Sequence, residues 1–477
     1  MSIRSAFVMA ACLLFAGCAT VGPDYVRPAM PGADHYRNAS PQSFATNVPR
    51  IEAWWQVFGD DVLNHLEAQA IQNSPQLAAA FARVQQARAQ FGVSAADRWS
   101  SLSSDVAVQA AGETVGQSVP GSSEVVRTKG HGYTLPLSAT YEIDLWGRIR
   151  RAMQSAQANV EASQADQRGV LLTLTADIAR YYFALKQINA ELQIARDTAR
   201  SCQEEVEVNE SRFRAGLTPD LDVQRARVEA ATALSDVADL QRQNAQAVNA
   251  LAVATGIAPA NFVVSELNTL APAPPPIPAG IPSQLLERRP DLAQAELILR
   301  ARTADIGVAT ANRLPSIQLL GNVGYSGPQF SDLFNPANRY WNIGPAIHLP
   351  IFDGGRLKAQ EAQLRAIAEE ALADYRQKTL AAFQEVDDAL AALREQSAQI
   401  DALAKGKIAA LDAVSLSRMR YRRGLSNYLD VIDAERSLLQ IERTRLQIIG
   451  AQYASTIGLI KGIGGSWEDI HTDEGTP

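Results

Sequence analysis

The chain writes nearly the same twelve residues twice. RFRAGLTPDLDV begins at Arg212 and RYRRGLSNYLDV at Arg420, 208 positions later, and seven of the twelve pairs are identical. Such a repeat constrains the fold more than composition can, because each copy must be one structural unit built twice. At the same offset Gly147 and Arg148 fall on Gly355 and Arg356, and no gap is needed from residue 147 to 223. An earlier block, residues 74 to 100, aligns ungapped with residues 289 to 315 at an offset of 215, with nine of 27 pairs identical. The segment between the blocks is therefore seven residues shorter in the second half, as loops between fixed elements vary.

Each half reads in one order: a helix of about 35 residues, an interposed segment, a helix of about 68 residues, a turn, and a helix of about 35. The long segments, Arg148 to Arg214 and Arg356 to Arg422, contain no proline and are rich in Ala, Leu, Gln, Glu and Arg. At ~1.5 Å per residue each could run about 100 Å. No helix of that length buries its own apolar stripe, so each must pack along neighbours. In the turns, Gly216 and Gly424 suit the left-handed position that ends a helix. Thr218 and Ser426 can cap the helix that follows, and Pro219 fits its first turn. Both turns therefore read as tips of helical hairpins. Between the halves, LAPAPPPIPAGIP at residues 270–282 is too proline-rich for helix or sheet interior.

The interposed segments read as strands. From Tyr133 to Leu145 the odd positions are Tyr, Leu, Leu, Ala, Tyr, Ile and Leu, and the even ones are Thr, Pro, Ser, Thr, Glu and Asp. Alternation of this length marks a strand with one oily face, and suits the nine to eleven residues that cross a membrane at a tilt. Trp341, Ile343, Pro345, Ile347, Leu349 and Ile351 alternate likewise, and weaker patterns start at Leu102 and Ser316. Four strands result, in hairpins 100–146 and 315–353, with loops expected at 112–130 and 326–338. Trp99, Tyr133, Tyr141, Trp146, Tyr325, Tyr340 and Trp341 lie near strand ends or on the odd face, as in an interfacial girdle. A half-buried sheet of a soluble sandwich would show the same alternation. In lipid, four strands cannot close a barrel, since about eight is the minimum, so other copies must supply the rest.

The first 17 residues, with Arg4 before an apolar run, read as a secretory signal peptide, and LLFAGC resembles a bacterial lipobox that would make Cys18 an acylated N-terminus. Ala19 follows where an inner-membrane retention signal would place aspartate. Only Cys18 and Cys202 remain in the mature chain, so an intrachain disulfide is not expected. A net charge of −7 disfavours nucleic acid. His35, His65, His131, His348 and His471 have no metal-ligand spacing, and the GIGGS stretch at Gly462 follows a helix rather than a strand, so it is a helix stop and not a phosphate loop. These features point away from an enzyme, a metal centre and a cofactor.

Taken in order, the lipobox, WWQVF with DDVLNHLEAQAIQNSPQL, YEIDLWGR, RFRAGLTPDLDV, LLERRPDLAQAE, LPIFDGGR and RYRRGLSNYLDVIDAERSLL closely resemble the TolC-like outer-membrane efflux channels of the NodT-type lipoprotein family. The resemblance covers essentially the whole chain. It implies a mixed α and transmembrane β fold: a homotrimeric duct with a twelve-stranded barrel in the outer membrane and a twelve-helix tunnel in the periplasm. It also implies partnership with a periplasmic adaptor and an inner-membrane pump of the resistance-nodulation-division type. On that basis the chain divides into signal peptide 1–17, lipidated segment 18–61, first repeat 62–269, connector 270–282, second repeat 283–460 and tail 461–477. The aspartates that ring the family's aperture match Asp430 and Asp433, and a tyrosine-to-aspartate hydrogen bond that holds the closed state matches Tyr421 and Asp222. Some members add an arginine where this chain has Ser426, so that second latch is not carried over. Type I protein secretion and a periplasmic coiled-coil scaffold or adaptor remain as other readings at this point.

Overall fold

The computed structural model describes residues 20–29, 36–38, 53–119, 122–264, 270–277 and 288–465, and the side chains of 109–119, 122–131 and 332 are left aside. The chain divides into two compact units, one comprising Met1–Pro28, Arg83–Ser163 and Ala295–Tyr375, the other Ala29–Ala82, Gln164–Gln294 and Arg376–Pro477.

The helices are α1 (Asp61–Asn73), α2 (Pro75–Ala96), α3 (Arg148–Arg214), α4 (Asp220–Ala254), α5 (Pro290–Ala311), α6 (Arg356–Arg422) and α7 (Tyr428–Gly462). Helices α3 and α6 are 67 residues each and α4 and α7 are 35 each, with the long pair starting and ending 208 positions apart. The helix expected at the start of the first half is broken at Ser74, which is extended (ψ 118°) because Pro75 disfavours helical backbone in the residue before it. Ser74 Oγ then accepts from the Leu77 amide at 3.3 Å, capping α2. Aspartates start both long helices: Asp144 accepts from the amides of Ile149 and Arg150, and Asp353 from Gly355 and Leu357. Each places negative charge at the positive end of a helix dipole.

In the first unit, β1 (Ser101–Ser103), β2 (Ala107–Val119), β3 (Ser122–Ile143), β4 (Ser316–Gly327) and β5 (Arg339–His348) form one antiparallel sheet. Both β1 and β2 lie on one side of β3 and β4 lies on the other, so the sheet is four strands wide. The loop expected at 112–130 is a correction: Gly112 to Val119 pairs residue by residue with Ser122 to Lys129. Glycine, serine and threonine there resemble a loop, but a partner strand in register overrides weak propensity. Pro136 has no amide hydrogen to donate, and it sits where the opposite edge is interrupted between β1 and β2, beside Ser104, whose hydroxyl donates to the Pro136 carbonyl at 2.7 Å. The odd-numbered face continues across strands. Ile143, Ile317 and Ile347 form one row, Leu137, Val323 and Trp341 another, and Leu102 pairs with Ala139. Trp341 is 70% exposed, Ile343 67%, Ile347 69% and Leu102 66%, so this face is an uncovered apolar band in the single chain. Behind the sheet junction, residues 20–28 run as an extended strap. Val21 donates to the Trp146 carbonyl, and the buried Arg151 guanidinium donates to the carbonyls of Val21 and Gly22 and to Asp24 at 2.7 Å. Gly22 packs on Gly307 so closely that a Cβ on Gly22 would lie 2.4 Å from the Gly307 Cα.

The second unit holds the main core. Leu63, Leu66 and Ala70 of α1 pack with Leu174, Ile178, Tyr182 and Leu185 of α3 and with Ile449, Tyr453, Ile457 and Ile460 of α7, all at helical spacing. Phe183 stacks on Tyr453 at 4.2 Å, with Phe58 of the WWQVF stretch 4.8 Å away. Asp60 caps α1 through the amides of Val62 and Leu63, and is itself buried against Tyr182 Oη at 2.8 Å and Lys186 Nζ at 2.9 Å. Burial raises the Asp60 pKa, but the hydrogen bonds from Lys186 and Tyr182 outweigh it and hold the carboxyl below the usual range.

Glu67 of α1 is fully buried, with neither carboxylate oxygen hydrogen-bonded among the described residues, and burial pushes its pKa up to about 9. Because the folded value exceeds the ordinary 4.5, stability falls as pH climbs from about 4.5 to about 9. Glu67→Leu is expected to raise unfolding free energy by about 1–3 kcal/mol and to lose that slope, read by urea unfolding followed by circular dichroism. A variant less stable than the parent would contradict this.

Candidate functional site at the helical hairpin turns

Both repeats of the RxGL sequence close a long helix in the same way. Leu217 N–H donates to the Arg212 carbonyl and Gly216 N–H to that of Phe213, both at 2.9 Å; Leu425 and Gly424 do the same to Arg420 and Tyr421. These paired bonds satisfy the last helical carbonyls, and they require the left-handed φ of 72° at Gly216 and 73° at Gly424, which a Cβ would penalise. Leu217 and Leu425 project at 67% and 64% exposed.

Capping departs from expectation. The Thr218 and Ser426 hydroxyls are buried without a hydrogen-bond partner among the described residues, and neither caps a helix. Pro219 occupies the N-cap position of α4 rather than its first turn, and offers no side-chain bond. Asn427, one residue beyond Ser426, caps α7 by accepting from the Asp430 amide at 3.1 Å. The Schellman closure uses the residues up to Leu217 and Leu425, and extended backbone at Pro219 and Asn427 then puts the cap one residue later than the hydroxyls.

Asp430 and Asp433 lie on the first turns of α7, three residues apart and both exposed, so they share a helix face. Among the described residues neither forms an ion pair. Asp222, by contrast, is buried on the first turn of α4 and lies 3.7 Å from Arg225.

Tyr421 has a second partner besides the aspartate expected of it. Its hydroxyl donates to Asn209 Oδ1 of α3 at 2.7 Å, and the fully buried Asn209 is fixed in turn by its own amide donating to the Glu205 carbonyl. Asp222 acts on Tyr421 mainly by charge, with a smaller side-chain hydrogen bond: burial first, and the Asp222 carboxylate second, push the phenol pKa up, while Arg212 opposes. The Arg212 guanidinium lies 4.9 Å over the Tyr421 ring. The Asn209 bond joins Tyr421 to α3, and Asn209, 212 residues away in sequence, gave no local signal.

Further ties join the second hairpin to the first. Tyr428 donates to Glu205 at 2.7 Å, Arg418 pairs with both Glu205 and Glu435, Arg436 with Glu229, and Arg443 with Asp236 at 2.8 Å. Beneath them Val206, Ala226, Ala230, Tyr428, Val431 and Ile432 form a small apolar cluster of their own. The arrangement is a helix-end lock of hydrogen bonds and ion pairs over a thin core, with Leu217, Leu221, Leu425 and Leu429 exposed and an acidic helix face nearby. Cys18 lies outside the described residues.

The chain is similar over nearly its full length to proteins of known role. It is 32% identical over 470 residues to the cation efflux system protein CusC of Escherichia coli O6:H1, covering 96% of this chain and 97% of that protein. It is 32% identical over 479 residues to the outer membrane protein OprJ of Pseudomonas aeruginosa, covering 98% and 97%. The solved outer-membrane channel OprN superposes with a TM-score of 0.86 at 31% identity, covering 94% of this chain and 99% of that one. The model of the outer membrane efflux protein family matches residues 66–257 and 281–465, and the chain belongs to that family.

Proposed function

We propose that three copies of the chain build one continuous exit duct across the outer membrane, each giving a four-strand width to a twelve-stranded barrel and its helices to a twelve-helix periplasmic tunnel. The observation that carries this is the sheet: its outer strands, β1/β2 and β5, have no further partner among the described residues, while its odd face is an apolar band. An open edge in lipid strands backbone groups at several kcal/mol each, so neighbouring copies must pair the edges. The protein is the outer-membrane component of an efflux system, moving solutes passively from an inner-membrane pump, of the resistance-nodulation-division type, through a periplasmic adaptor. Relatives of similar identity are named for cations, toluene and antibiotics, which supports a duct whose cargo is chosen by the pump.

The signal peptide 1–17 is removed, and Cys18 becomes a lipid-modified N-terminus that anchors the strap. The hairpin turns form the gate: Asp430 and Asp433 line the aperture, and Tyr421, with Asn209 and the nearby Asp222, holds it shut. Native mass spectrometry of the mature protein in detergent tests assembly and anchoring together. Three protomers, each beginning at a diacylglyceryl-modified Cys18, are expected. A monomer that keeps its strands in lipid would contradict the assembly, and an unmodified terminus elsewhere would contradict the anchor.

A further inference from the structure

One guanidinium serves two carboxylates on two other helices. Arg418 of α6 donates to Glu435 of α7 at 2.6 Å and to Glu205 of α3 at 3.0 Å, and Tyr428 donates to the other Glu205 oxygen at 2.7 Å. The repeat shows what is unusual here. In the first hairpin, Glu210 and Arg227 pair at 2.8 Å, and the positions 208 residues on from them are Arg418 and Glu435. The cross-hairpin ion pair is therefore built twice with its signs exchanged, but among the described residues only the second copy pairs with an extra acid, Glu205. With both acids ionised, two negative charges share one positive charge in a half-buried site. The charged and titratable groups around Glu435 are Glu205 and Cys202 on α3, Glu229 on α4, Arg418 on α6, and Tyr428 and Arg436 on α7. Arg436 is engaged with Glu229 and so does not relieve the excess.

We propose that Glu435 is a proton-operated catch between the two hairpins: protonated, it leaves Arg418 to Glu205 and holds α6 and α7 against α3; ionised, it competes for Arg418, repels Glu205 and loosens the hold. Burial first, then the Glu205 charge, push its pKa up to about 7, with Arg418 pulling it back. Once the hairpins part and Glu435 is solvated, its pKa returns toward the ordinary 4.5. The docked arrangement binds the proton more tightly, so its advantage is greatest at low pH and declines as pH rises from about 4.5 to about 7.

Hydrogen exchange of the full-length protein in detergent, corrected for the intrinsic pH dependence of exchange, tests the catch at residues 201–209 and 428–438. Protection is expected to drop at least tenfold between pH 5 and pH 8 in the parent and to stay constant in Glu435→Gln. A parent profile with no such drop, or the same drop in Glu435→Gln, overturns the proposal. Glu205→Gln provides a second arm: freed of its competitor, Glu435 pairs with Arg418 alone and the transition moves at least one pH unit lower, whereas an unmoved transition overturns the proposal. Coupling of the catch to conductance rests on the duct reading, and is read separately as the single-channel open fraction over the same pH range. Exchange that responds to pH while the open fraction stays flat upholds the catch and counts against the turns as the gate.

Discussion

Tyr421→Phe combined with Asn209→Ala raises single-channel conductance in planar bilayers. The lost Tyr421 to Asn209 bond is neutral, buried on the Asn209 side, and contributes about 1 kcal/mol net. Repeated in three copies, the loss reaches about 3 kcal/mol, enough to shift a closed-to-open ratio more than a hundredfold. Asp222→Ala alone has the smaller effect, because Asp222 influences Tyr421 mainly by charge, its hydrogen bond contributing least, and lies 3.7 Å from Arg225. The opposite ranking, with Asp222→Ala the stronger opener, would place the latch where the family resemblance first put it. Unchanged conductance in both variants would move the closed-state hold to the ion pairs Arg418–Glu205 and Arg443–Asp236.

The second large effect concerns charge at the aperture. Asp430 and Asp433 are exposed on one face of α7. Three copies would bring six carboxylates around a narrow opening, where a low-dielectric wall focuses their potential. Asp430→Ala with Asp433→Ala should cut the cation-to-anion permeability ratio on the order of tenfold and relieve block by divalent cations, read from reversal potentials in asymmetric salt. Selectivity that survived the double change would place the constriction at other residues.

Much of the fold was legible because its signals are local and repeated. The ends of α3 and α6 could be read from an absence of proline closed by glycines that adopt the left-handed conformation. The oily odd face of β3 and β5 was legible from alternation alone, and Leu137, Tyr141, Ile143, Trp341, Ile343 and Ile347 on it are exposed in the single chain. Misreadings arose where pairing across the chain decides. Residues 112–119 carry turn-like composition yet form strand because β3 lies alongside. Thr218 and Ser426 have the right chemistry for caps, but the closure of the preceding helix leaves them one residue too early. The polar groups that organise the second unit were not legible, since Asp60 meets Lys186 across 126 residues and Arg418 meets Glu205 across 213. The offset of 208 did hold a clue: it matches Glu210 and Arg227 with Arg418 and Glu435, an acid–base pair written again with its signs exchanged.

The central claim is that copies of this chain together form a passage through lipid. Current through a planar bilayer containing the purified full-length protein, with its assembly state fixed beforehand by native mass spectrometry, tests it most directly. The account predicts discrete single-channel steps from three-protomer particles, small in the parent and larger once the Tyr421 to Asn209 bond is removed. Lipid-inserted three-protomer particles that pass no current in either form, at any applied voltage, would contradict it.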